Sequence, residues 1–226
     1  MAMNKVKQGS QMYQFLNEDS GGNGYTWNVI KGKCPHDCLY CYMKRFAQKE
    51  LRFDAGEIST DLGVNNFIFV GSSTDMWAED IPAMWIEDVL ALCRQNHNRY
   101  LFQSKNSERF CDYWNYPDNT ILGCTIETNR LYPNISKAPN TLSRKLAMEI
   151  ITLPKIVSIE PIMDFDLDVM VRWIKEINPE FVSIGADSQH HNLPEPSPDK
   201  VKALIESLQA ITTVKVKSNL KRLEVV

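Results

Sequence analysis

From Tyr25 onward, short apolar runs rich in β-branched residues alternate with stretches of helical periodicity. The strand candidates are residues 26–30, 66–70, 100–104, 120–126, 156–160, 181–185 and 214–217. Between them lie helical patterns. Trp85, Val89, Leu92 and Cys93 share one face of a helix starting near Pro82, and Leu142, Leu146, Glu149 and Ile150 repeat the spacing less cleanly. Asp166 reads as the N-cap of a helix burying Leu167, Met170, Val171, Ile174 and Ile177. Ser197-Pro198 fits N-cap and first helical position of another, burying Val201, Leu204, Ile205 and Leu208. Strand–helix alternation at this pace implies right-handed crossovers and a parallel sheet. Six or so units in 226 residues are too few for a closed eight-fold barrel, so the expected fold is α/β, an open partial (β/α)6 barrel.

The segment before Tyr25 is different. It is polar and ends in Asp19-Ser20-Gly21-Gly22-Asn23-Gly24, which predicts a loosely held lead-in or lid over residues 1–24. Residues 25–226 then form a single domain, with no internal repeat or linker.

Polar residues recur where the strands end. The second run closes in Gly71-Ser72-Ser73-Thr74-Asp75. The third has Gln103 and Lys105 on one parity, the fourth Thr125 and Glu127, the fifth Ser158 and Glu160, the sixth Ser183 and Asp187, and the last Lys215, Lys217 and Asn219. Side chains alternate across a strand, so these sets point to one face. Glu127, Glu160, Lys105 and Lys217 are costly in a dry interior unless paired or bound to a ligand. Either they pair among themselves and brace a barrel mouth, or they surround a ligand. Their convergence on one sheet edge favours the ligand.

The first strand runs into Cys34-Pro35-His36-Asp37-Cys38-Leu39-Tyr40-Cys41, three thiols spaced C-x3-C-x2-C. Three thiolates this close suit three irons of a 4Fe–4S cubane and leave its fourth iron without a protein ligand. Structural zinc is the competing reading. It usually needs a second cysteine pair, and Cys93, Cys111 and Cys124 are isolated, while His36 lies between two ligands and is badly placed for the same metal. Cys124 alternates with Thr125 and so should face the helices. His190-His191 belong to a loop that overhangs the proposed mouth and read as solvated.

Composition narrows the partners. Net charge is −3, so no global positive field attracts polyanions, and nucleic acid is left open but unsupported. No apolar run approaches the ~20 residues that span a bilayer, and Met1–Gly9 lacks an apolar signal core, so a cytoplasmic protein with reduced thiols and no membrane partner is expected.

The cysteine motif with Tyr40 before its last thiol resembles the signature of the radical S-adenosylmethionine (SAM) superfamily. Residues 27–34, the Phe69-Val70-Gly71-Ser72 turn followed by Asp75, Ser104-Lys105-Asn106, residues 123–128 and Ser158-Ile159-Glu160-Pro161 resemble successive blocks of one small, phage-associated subgroup, itself distantly similar to spore photoproduct lyase. The resemblance implies a 4Fe–4S cluster held by Cys34, Cys38 and Cys41, with SAM chelating the open iron. Reductive cleavage would then yield methionine and a 5′-deoxyadenosyl radical that abstracts hydrogen from a substrate, whether nucleobase, nucleotide or small metabolite. An external donor such as flavodoxin or ferredoxin would supply the electron. By position, Tyr40 would stack near the adenine, and Ser72, Ser73 and Thr74 would meet the SAM ammonium, although the familiar Gly-Gly-Glu is absent there. Thr125, Glu127 and Ser158 would face ribose or carboxylate, and Arg130 or Arg144 would neutralise the methionyl carboxylate. Lys105, Glu160, Asp187 and Lys217 would be left for substrate. The alternatives are a glycyl-radical activase acting on a partner protein and an iron–sulfur binding or redox module without radical chemistry.

Overall fold

Parallel pairing runs almost unbroken through the sheet of the computed structural model, which describes residues 3–7 and 14–225. In chain order the elements are β1 (Asn4–Lys5), α1 (Gln14–Glu18), β2 (Gly24–Trp27), β3 (Ile30–Lys31), β4 (Arg52–Phe53), β5 (Phe67–Val70), α2 (Ala83–Arg94), β6 (Arg99–Ser104), β7 (Thr120–Thr125), α3 (Thr141–Ile150), β8 (Lys155–Ile159), α4 (Leu167–Ile177), β9 (Phe181–Ile184), α5 (Pro198–Gln209) and β10 (Thr213–Val216). The main sheet has the order β1-β2-β5-β6-β7-β8-β9-β10. Only β1 is antiparallel, and β3 with β4 forms a separate small pair. Each crossover moves one strand further in the same direction, the winding that curls a sheet toward a barrel. The ends do not meet, so the barrel is open.

Strand periodicity separates the two faces. Ile68, Val70, Tyr100, Phe102, Leu122, Val157, Ile159, Val182 and Ile184 point outward into the main core, where α2, α4 and α5 pack. The opposite parity, Phe67, Phe69, Leu101, Ile121, Ile156 and Phe181, points into the concave side.

The open side is filled by the N-terminal segment. Residues 1–2 and 8–13 of the predicted lead-in lie outside the described residues, but the rest is packed rather than loosely held. Phe15 and Leu16 are buried in the concave cluster, and the Phe15 ring meets both Phe67 of β5 and, edge-on at 5.3 Å, Phe181 of β9. Asp19 pairs with Lys215 of β10 at 2.5 Å, while Asn17 holds Val6 and Gly24 near β2. A five-residue helix therefore ties both flanks of the gap, which explains why periodicity could not reveal it. Glycine suits position 24, because a Cβ would fall 2.9 Å from the backbone carbonyl carbon of Leu16.

Three further expectations need correction. The first predicted strand splits, because the chain leaves the sheet at Asn28, whose side chain is taken by the turn at Ser72-Ser73. Of the six crossovers only four contain α-helices. The first consists of the cysteine loop and the β3–β4 pair, and that between β6 and β7 is a 3-10 turn, Ser107–Asp112. The apolar stripe of α3 faces outward: Leu142, Leu146 and Ile150 are 47%, 51% and 71% exposed, whereas Arg144 and Lys145 are buried. Asp166 does occupy an N-cap position, yet its carboxylate is engaged by Arg130 and Asn129 instead of the helix. Ser197 caps α5 as expected, accepting from Lys200 N. No helix among the described residues is long and apolar enough to cross a membrane.

Candidate active site

The cysteine loop is held at both ends by backbone. Gly32, at φ 108°, starts it; a Cβ there would sit 2.2 Å from Glu50 O, so only glycine permits the approach. Lys33 N donates to Lys49 O at 2.9 Å. On the far side, Leu39 N donates to Ile135 O and Lys137 N to His36 O, at 2.7 and 2.8 Å. These bonds press the loop against the segment that precedes α3, where Ser136 Oγ lies 3.1 Å from Cys38 Sγ.

Cys34, Cys38 and Cys41 line one wall of a cavity of about 240 Å³ at the C-terminal edge of the strands, where parallel α/β folds keep their ligands. Phe15 and Phe69 line it from below, and Gln103, Lys105, Thr125, Ser158, Glu160, Asp187 and Lys217 from the strand ends. The donor set fits a cubane. Among the described residues no three His, Cys, Asp or Glu side chains converge on one point as a mononuclear site requires. A cubane does not ask for that convergence, since each thiolate binds a different iron. Burial, with the Asp75 charge beside it, pushes the Cys34 thiol up to about 12, so metal would have to displace its proton.

Of the predicted residues, Ser72, Ser73, Thr74, Tyr40, Thr125 and Ser158 line the cavity, as do Lys105, Glu160, Asp187 and Lys217. Glu127 and Arg144 lie outside that lining. Glu127 accepts from the Tyr40 hydroxyl on one oxygen and from Arg144 at 2.8 Å on the other, all behind the wall. Arg144 also donates to Thr125 O and Pro139 O. Burial works against the Glu127 charge, but Arg144, Lys105 and the Tyr40 hydrogen bond outweigh it and hold the carboxyl below its ordinary range. Arg130 is elsewhere, paired with Asp164 and Asp166. Thr74 uses its hydroxyl on Gly32 O at 2.8 Å, and so braces the loop.

The four strand-end ions divide. Lys217 pairs with Glu160, whose other oxygen accepts from Asn219 at 3.2 Å. Gly185 makes room for this, because a Cβ there would sit 2.7 Å from Glu160 Oε1. Glu127 finds an arginine rather than a lysine. Lys105 has no ion pair among the described residues; its ammonium rests 5.4 Å from the Tyr40 ring centroid. Burial alone would lower its pKa, but Cys38 and Glu127 outweigh that and raise it, so it stays a cation in the cavity wall. Asp187 is held by His191, whose Nδ1 lies 2.8 Å from Oδ1, so this histidine is not the solvated one expected. Cys124 faces the helix side and takes a hydrogen bond from Ser107 at 2.8 Å.

Several residues to which the sequence alone assigned no role position the site. Half-buried Asp75 accepts from Ser104 Oγ and from the backbone of Lys105 and Trp77, at 2.8 to 3.0 Å, fixing the β6 end. His36 Nε2 lies 3.0 Å from the same carboxylate but outside hydrogen-bonding geometry. Phe15 and Ser136 have no motif around them, and Asn28 and Asn219, though part of a motif block and of a polar strand end, show their roles only through contacts across long chain separations.

No family profile and no curated protein matches the chain. Among solved structures it is similar to a cysteine-to-alanine mutant of spore photoproduct lyase with dinucleoside spore photoproduct, with a TM-score of 0.57 at 10% identity over 83% of this chain and 61% of that one. A second mutant of that lyase, with bound AdoMet and dinucleoside spore photoproduct, gives 0.53 at 10% identity over the same shares. The chain thus spans about three fifths of the length of these lyase structures, 61%. The likeness is one of fold: this chain shares with those lyase structures an open, parallel α/β partial barrel.

Proposed function

We propose that the chain is a radical SAM enzyme whose substrate is a nucleobase, nucleotide or similar small metabolite. The observation that carries this is the placement of Cys34, Cys38 and Cys41 on one wall of a cavity whose opposite wall is polar. Cys34, Cys38 and Cys41 would hold a cubane that, with SAM bound, would supply reductive cleavage of the sulfonium and hydrogen abstraction from an unactivated C–H bond. The protein's part is to orient and to exclude water. Tyr40, fixed by Glu127, presents its ring to the cavity, and Thr125, Ser158 and Gln103 offer hydroxyl and amide groups to a ribose-like ligand. Phe15 and Phe69 close the chamber from below with apolar surface, which keeps solvent from quenching a reactive intermediate. Lys105 offers a positive charge to a carboxylate or phosphate.

The dinucleoside bound in the structurally similar lyase supports a nucleotide-like substrate, and the net charge of −3 speaks for a small one rather than a duplex. Anaerobic reconstitution with iron and sulfide, then addition of SAM and dithionite, tests the reading. Methionine and deoxyadenosine should form in equal amounts. A full cluster that yields neither product would leave a redox module and sink the enzymatic reading.

A further inference from the structure

We infer that the outer face of the cysteine loop is the docking surface for an acidic, low-potential protein that donates single electrons. The inference rests on the cluster reading of the site. Lys33, Lys44 and Lys137 bring their ammonium groups to 4.0, 3.0 and 3.2 Å of the Asp37 carboxylate. One acid cannot neutralise three cations, so this point of the surface keeps a net positive charge. None of the three lysines lines the cavity; they stand on the solvent side of the loop whose other side carries the thiols. Beside them Leu39, between Cys38 and Tyr40, is 45% exposed. An apolar centre with a charged rim is the usual anatomy of a protein interface.

The charge is concentrated here against the trend of the chain. Residues 33–49 hold four lysines and arginines against one acid, while the whole chain carries −3, leaving −6 on the remainder. A compact acidic protein meets only the patch and is steered to it. An extended nucleic acid would run onto the acidic remainder, which weighs against the same patch tracking a phosphate backbone. Position argues for electron delivery. Among the described residues Cys93, Cys111 and Cys124 stand on three separate elements and do not converge, which leaves the surface of the cysteine loop as the route for an electron from a partner. Exposed Leu39 and Lys33 are each one residue from a proposed ligand thiol, so the patch lies a short covalent path from the cluster site. Each transfer oxidises the donor by one electron and reduces the cluster by one, with no bond made or broken.

The test uses reconstituted holoprotein and flavodoxin hydroquinone as the probe, following bleaching of the cluster absorbance near about 400 nm. Replacing all three residues, Lys33→Glu, Lys44→Glu and Lys137→Glu, should slow bleaching by flavodoxin at least ~10-fold at low salt and invert its salt dependence, so that added salt speeds the reaction. Bleaching by dithionite should be unchanged, which controls for folding and cluster content. Asp37→Asn, tolerated at its positive φ of 46°, should act in the opposite sense and tighten binding of the apo chain to oxidised flavodoxin. A triple variant reduced by flavodoxin at the wild-type rate overturns the assignment. So does a wild-type patch that ignores flavodoxin at about 0.15 M salt but binds a DNA oligonucleotide. Failure of the enzymatic reading looks different: wild-type protein takes the electron from either source and forms no deoxyadenosine.

Discussion

The concave face of the sheet is built by one set of strands with one side-chain parity, yet its two ends differ in chemistry. Toward the strand N-termini it carries Phe67, Leu101, Ile121, Ile156 and Phe181, sealed by Phe15 and Leu16. Two or four residues further along the same strands come Gln103, Thr125, Ser158 and Glu160, and Lys217 follows β10. Local periodicity sets which side chains point inward, but the position along the strand sets whether they bury or bind. The floor contributes stability, and the mouth carries the polar groups of the proposed site. Damage to the two should therefore be separable.

The sharpest break is at the mouth. Cys34→Ala, Cys38→Ala and Cys41→Ala should each prevent assembly of an intact cluster, read as lost absorbance near about 400 nm and lost iron, with the thermal unfolding of the apo protein nearly unchanged. A variant that keeps a full cluster removes that cysteine from the ligand set. At the floor, Phe15→Ala should cost about 3–5 kcal/mol in denaturant unfolding, because it leaves a hole between Phe67 and Phe181 and loosens the plug across the open side. A loss below about 1 kcal/mol would show that α1 is not part of the core.

Glu127 lies between the two regions in effect. Glu127→Gln keeps an acceptor but leaves buried Arg144 without its counter-charge, and should destabilise by about 1.5–3 kcal/mol. The same pair gives a pH dependence of known sign. A carboxyl held below its ordinary range stabilises the fold above that range and loses this contribution as pH falls through its folded value. Wild-type protein should therefore lose stability below about pH 4 more steeply than Glu127→Gln, measured by urea midpoints. Equal slopes would place the ion pair outside the fold's energetics.

The smallest change marks the boundary. Ser183 is on the inward parity of β9, and its buried hydroxyl has no partner among the described residues. Ser183→Ala should be neutral or stabilising, within about 1 kcal/mol, since nothing is lost but an unsatisfied donor. A cost above that would mean the hydroxyl is satisfied in solution and belongs to the polar half.

Reading α3 shows where periodicity misleads. Its apolar stripe Leu142, Leu146 and Ile150 faces away from the core, and the helix turns inward the face carrying Arg144 and Lys145. Two distant acids account for this: Glu127 receives Arg144, and Glu176 of α4 receives Lys145 at 2.5 Å. A helix of ten residues with a mixed pattern does not determine its own rotation. By contrast α5, with its Ser197 cap and four well-spaced apolar residues, reads correctly from its letters alone.

The chain by itself determined the strand runs, the parity of their side chains and the spacing of three thiols, because each depends on a few neighbouring residues and a fixed backbone repeat. The tertiary structure decided what those pieces meet. It set Phe15 beneath the cavity, turned Glu127 behind Tyr40, paired Glu160 with Lys217 and set the Lys105 ammonium in the wall against the Tyr40 ring. Those outcomes depend on how far the sheet curls and which distant charge is nearest once it has, and no local repeat encodes either.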